Sequence, residues 1–146
     1  MQVEIRIDSA CKEPRIVILT DKLTDEVNAI ARRLSGESPQ ILSGFQDDTL
    51  KVLEQENIVR IYTSGGKVFA STADGEYTLR LRLYELEERL DGSQFVRISN
   101  SEIINLRRVK SFDLSFTGTI CVALSDGTVS YVSRRYVKKI KQVLGI

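Results

Sequence analysis

A chain of 146 residues with 42% hydrophobic and 28% charged residues can bury a core, and it lacks the polar bias and large net charge of a disordered chain. It contains no histidine, which removes the usual general base near neutral pH, imidazole metal sites and catalytic triads, so the chain reads as a non-enzyme. Its two cysteines, Cys11 and Cys121, lie far apart without CxxC spacing, as reduced structural thiols do, and no metal or other cofactor is expected.

No apolar run approaches the roughly 18 residues needed to span a bilayer, and the opening MQVEIRID carries charges where a signal peptide needs apolar residues. The expected compartment is the cytoplasm. Adjacent acids at Asp47/Asp48 and Glu87/Glu88 lie in polar segments and read as solvated charges rather than acid/base pairs. The net charge of +1 conceals an asymmetry, −1 over residues 1–45, −4 over 46–96 and +6 over 97–146. A basic module on an acidic remainder points to a polyanionic partner, although a solvated basic face gives the same count.

In chain order, Val3, Ile5 and Ile7 alternate with Glu4, Arg6 and Asp8, the period of two that predicts a half-buried strand. The apolar run from Arg15 to Thr20 predicts a second strand. Thr24 can cap a helix that carries Asp25 and Glu26 in its first turn and Val27, Ile30, Ala31 and Leu34 on its apolar face. Gly36 is expected to end it, with 36–40 as a linker. Residues 1–39 therefore read as a small α/β appendage, regulatory or dimerising, in front of a main module at 40–146.

From residue 41 the signals become mostly β. Apolar residues recur at Ile41, Leu42, Leu50, Val52, Leu53 and through 58–62, with turns at Ser64-Gly65-Gly66-Lys67 and at 73–76. A short helix follows with Leu83, Leu86 and Leu90 on one face, then a strand at 95–98, a polar turn at 99–101 and the apolar pair Ile103 and Ile104. Strand-like runs at 109–116, 120–125 and 128–132 are separated by Thr117-Gly118 and Asp126-Gly127. A last helix over 134–144 would bury Val137, Ile140 and Leu144 and leave Lys138, Lys139 and Lys141 outside. The fold class is mainly β, antiparallel with short helices, and not a helix-turn-helix.

Three polar sites stand out. At 64–67 exposed backbone amides and Lys67 could approach a phosphate, but a two-glycine turn is common and no GxGxxG or P-loop spacing is present. At 97–105 a strand ends in Ser99, Asn100 and Ser101, beside Arg97. Asparagine can pair with adenine, serine with phosphate and arginine with either, yet Ser99 or Asn100 could equally cap a following short helix. At 132–140 Ser133 can cap the last helix, which places Arg134 and Arg135 in its first turn. The helix dipole repels cations there, so an anion or a base edge accounts for them better than stability does.

The segments Leu86-Glu-Glu-Arg-Leu90, Phe95-Val-Arg-Ile-Ser-Asn-Ser-Glu-Ile-Ile-Asn105 and Asp126-Gly-Thr-Val-Ser-Tyr-Val-Ser-Arg-Arg-Tyr-Val-Lys-Lys-Ile140 occur in an order and spacing that resembles the LytTR family of bacterial DNA-binding regulators, from about Phe45 onward. The resemblance implies a compact antiparallel β fold whose loops enter successive major grooves of double-stranded DNA. It implies a sequence-specific transcriptional regulator, acting at repeated promoter sites and as a homodimer on DNA. By the same resemblance the base-reading loops are that of Gly66 and Lys67, where Gly66 replaces a frequent histidine, that of Asn100 with Ser99 and Ser101, and that of Arg135, or Arg134 under a one-residue shift. Lys138 and Lys139 suit phosphate. The response-regulator receiver of many relatives is missing, a layout similar to short family members encoded beside a small membrane protein that restrains them. The alternative reading is a protein–protein interaction module that uses the β surface and the N-terminal helix.

Overall fold

The computed structural model describes residues 1–34 and 41–146. The chain divides into two compact units, Met1–Ser38 and Pro39–Ile146. In the first, helix α1 (Asp25–Leu34) begins where Thr24 Oγ1 accepts the Val27 amide at 3.2 Å, the N-cap that the sequence predicts. The two strands expected at 3–7 and 15–20 are not formed, because neither segment has a ladder partner and the backbone is regular only in a turn closed by Cys11 N donating to Asp8 O at 3.1 Å. Alternation shows which face a strand would bury, and pairing needs a second strand as well. The stop at Gly36 and the linker at 36–40 lie outside the described residues.

In the second unit, strands β1 (Leu42–Gln46), β2 (Thr49–Leu53), β3 (Ile58–Ser64), β4 (Lys67–Thr72) and β5 (Gly75–Leu79) precede helix α2 (Leu83–Arg89). Then come β6 (Phe95–Ser99), β7 (Glu102–Asn105), β8 (Val109–Asp113), β9 (Ile120–Leu124), β10 (Val129–Val132) and helix α3 (Arg134–Leu144). The strands form a seven-stranded sheet in the order β2-β1-β5-β4-β3-β7-β6 and a three-stranded sheet in the order β10-β9-β8, with antiparallel pairing throughout. The helix α3 has the predicted bounds. The run expected to continue as strand to residue 116 stops at Asp113, whose carboxylate accepts the Ser115 amide and hydroxyl at 2.9 and 2.6 Å and turns the chain.

Two apolar clusters hold this unit together. One side of the large sheet contributes Ile58, Ile61, Tyr77 and Ile103 to a core closed by Leu83, Leu86 and Leu90 around α2. The other side contributes Val59, Val96, Ile98 and Ile104 to a core shared with Ile120, Val122 and Leu124 of the small sheet and Ile140 of α3. Consecutive residues Ile103 and Ile104 thus enter opposite cores, so the centre of the sheet is covered on both faces. Asn105 is wholly buried between them, its amide donating to Ile58 O at 2.9 Å and accepting from Arg107 N at 3.0 Å. Its role is to satisfy backbone groups at the end of β7.

Candidate nucleic-acid interface

The register of β3 against β7 brings the first two loops together. These strands are antiparallel neighbours with Tyr62 opposite Glu102, so the end of β3 and the start of β7 lie at the same edge of the sheet. A backbone bond from Thr63 N to Ser101 O at 2.9 Å ties the two loops. The β3–β4 turn has Gly65 and Gly66 at φ 58° and 78°, the left-handed pair that a two-residue hairpin requires. Lys67 leaves this turn exposed.

Ser99, Asn100 and Ser101 form the β6–β7 turn, and residues 102–105 continue as strand, so neither Ser99 nor Asn100 caps a helix. Ser99 Oγ accepts the Ser101 amide and faces the Ser101 hydroxyl, both at 3.2 Å. The Arg97 guanidinium is turned onto this loop, donating to Ser99 O and Asn100 O at 2.7 Å each and also to the Glu87 carboxylate. Its side chain is only 13% exposed. In this arrangement Arg97 shapes the turn and does not project from it.

The third loop arrives because Ser133 N donates to Ile98 O at 2.9 Å, which sets the start of α3 beside the end of β6. Ser133 is the N-cap residue, but its hydroxyl makes no capping bond. Tyr136 packs its ring against the second core and donates its hydroxyl to Asn100 Oδ1 at 3.3 Å. Nothing in the sequence pattern singles out this tyrosine, since the contact joins residues 36 positions apart. A Cβ added to Gly118 would lie 3.3 Å from Arg134 Nε, so the Arg134 side chain rests on the β8–β9 loop. Arg135, the next residue, is exposed.

Lys67, Arg134, Arg135, Lys138 and Lys139 are all exposed, and none has an ion-pair partner among the described residues. The basic excess of residues 97–146 is nevertheless divided between two ends of the unit. Arg107 and Arg108 follow β7 at its far end, where Arg108 donates to Glu56 O at 2.7 and 3.0 Å. The edge that gathers Lys67, Asn100 and the start of α3 keeps cations with free heads next to a small amide, a set suited to phosphates and base edges.

Substituting Arg97 by alanine tests its role. We expect it to destabilise the unit by about 1–3 kcal/mol, because three hydrogen bonds to a guanidinium are lost. It should also weaken cognate DNA binding while leaving the salt slope unchanged, whereas a fall of about 0.9 in that slope would mean that Arg97 contacts a phosphate directly.

The family model that matches is the LytTr DNA-binding domain, over residues 48–145. A Staphylococcus aureus (strain MSSA476) protein described as an uncharacterized HTH-type transcriptional regulator is 32% identical over 147 residues, covering 100% of this chain and 99% of its own. A counterpart in strain MRSA252 is 31% identical over the same span. Despite that description, the described residues of the present chain contain no helix-turn-helix, since five strands separate α2 from α3. The fold is similar to a solved LytTr DNA-binding domain from Bacillus cereus, with a TM-score of 0.70 at 19% identity over 73% of this chain and 97% of that one. Fold, motif order and family match agree, and the chain belongs to the LytTr DNA-binding domain family.

Proposed function

We propose that the protein is a cytoplasmic, sequence-specific transcriptional regulator whose loops at 64–67, 99–101 and 133–136 enter successive major grooves at repeated promoter sites. The observation that carries this reading is the convergence of those loops on one edge through the Thr63–Ser101, Ser133–Ile98 and Tyr136–Asn100 contacts. Residues 40–146 read DNA in this scheme. Residues 1–39 serve homodimerisation and control, including restraint by the small membrane protein that the family resemblance implies. No helix among the described residues is long and apolar enough to cross a membrane.

Asn100 and Arg135 are the base readers. Asn100 is exposed at the tip of its turn, and Arg135 is exposed beside Arg134, whose side chain rests on the loop at Gly118. Lys67, Ser99, Ser101, Ser133, Arg134, Lys138 and Lys139 contact the phosphate backbone or support the loops, with Arg97 acting from behind. Asn100→Ala or Arg135→Ala should cost about 1–3 kcal/mol on the cognate site and much less on random DNA. Lys138→Ala or Lys139→Ala should weaken both DNAs nearly equally and lower the salt slope by about one unit. Electrophoretic titrations on both DNAs check this. Unchanged discrimination in the Asn100 and Arg135 variants, measured on folded protein, would remove those two assignments.

A further inference from the structure

The first unit leaves a large apolar load uncovered. Val3, Ile5 and Ile7 are 91%, 89% and 100% exposed, and Ile16, Val17, Leu19 and Leu23 are exposed as well. Helix α1 buries none of its residues. Segment 3–7 is strand-like in pattern yet makes no ladder, so its backbone donors and acceptors are open to another strand.

The chemistry of that segment is its own complement. If two copies of 2–8 pair antiparallel about a two-fold axis through Ile5, then Ile5 faces Ile5, Val3 faces Ile7 and Glu4 faces Arg6 of the other copy. All the apolar side chains then fall on one face, and the opposite charges fall together on the other. A register shifted by one residue to either side loses this match, because it sets apolar side chains against charged ones. Within one chain Glu4 and Arg6 already lie on a common face, with Arg6 Nε 2.8 Å from Glu4 Oε1. The same two-fold logic suits α1, which has Asp25 and Glu26 in its first turn and Arg32 and Arg33 in its last. An antiparallel pair of such helices sets acids beside bases at both ends, as an isologous interface requires.

We propose that the first unit is a homodimerisation device in which residues 2–8 of two copies form an antiparallel strand pair centred on Ile5. The proposal rests on the homodimer reading above and specifies its register. The occupant of the exposed segment is a second copy of this chain, because about Ile5 the apolar positions repeat and the charges of Glu4 and Arg6 change sign, so the segment complements itself.

The test uses the full chain with Cys11, which is exposed, replaced by serine. Ile5→Cys brings two thiols opposite one another within disulfide range and should cross-link to a dimer on mild oxidation. Val3→Cys alone should not cross-link above the background of the parent, whereas Val3→Cys with Ile7→Cys should. In the otherwise native chain, Glu4→Arg or Arg6→Glu should each weaken the dimer about tenfold by sedimentation analysis, since each creates two like-charge pairs across the axis. The double exchange Glu4→Arg with Arg6→Glu should restore it. A dimer that ignores Ile5→Cys, or a double exchange as weak as the single ones, would overturn the register and leave the homodimer reading in place. A native chain that stays monomeric at tens of micromolar would overturn both, as would residues 3–7 binding a different protein. Binding of either form to a single half-site reports the DNA reading separately.

Discussion

Raising the salt from 50 to 200 mM is expected to weaken DNA binding by one protomer about 150-fold. The cations assigned to phosphate, Lys67, Arg134, Lys138 and Lys139, are exposed and have no ion-pair partner among the described residues. If each neutralises one phosphate, the slope of log affinity against log salt is about −3.6, at about 0.9 counterions per contact on B-DNA. Arg107 and Arg108 should not add to it, because they sit at the far end of β7. A fluorescence titration across a salt series gives the slope, and a flat response would sink the DNA-binding proposal. Loss of slope on replacing Arg107 would instead show that DNA wraps farther round the unit than the convergent loops indicate.

The largest effect on stability should come from Ile104→Ala. Ile104 is fully buried in the core between the two sheets, on the strand that leaves the 99–101 turn. Truncation removes buried methyl groups and leaves a cavity, at a cost of about 2–5 kcal/mol. For a unit of this size the melting midpoint should drop by about 10–20 °C. Calorimetry checks the figure, and a shift of only a degree or two would mean that the core can collapse around the missing atoms. Below the new midpoint the variant should still separate cognate from random DNA, since Ile104 does not reach the loops' exposed side.

The elements of the second unit were legible because its signals agree with one another. Turn glycines at 65, 66 and 127 take the positive φ values that their positions imply, and α3 runs from Arg134 to Leu144 as its apolar spacing predicts. The helix cap considered at Ser99 or Asn100 and the strand extension past Asp113 failed for local reasons. Small polar residues serve equally in hairpin turns and helix starts, and an Asx turn can end a strand whose apolar pattern continues. At the site, the sequence marks Asn100 and Arg135 as exposed polar residues, but it cannot show that Arg97 folds back onto its own loop. That contact depends on the bulge between Arg97 and Ser99 and on Glu87 in α2. Tyr136 was invisible for the same reason, since its hydroxyl contact exists only once α3 is docked on β6. The half-buried strand that the N-terminal alternation predicts does not form, and Val3, Ile5 and Ile7 are exposed, because a period of two does not supply the pairing partner.

The turn at 99–101 buries none of its three residues and is shaped largely by backbone groups, two of its carbonyls held by Arg97 and one by Thr63. Side chains there can therefore change without disturbing the cores, and Arg135 is equally free of them. Frame and alphabet are separable in this molecule. A lineage could acquire a new operator by substitutions at Asn100 and Arg135 while the fold's stability stays almost constant. Drift at Arg97 would instead blur recognition of every operator alike, whereas drift at Ile104 would lower stability and leave discrimination in place.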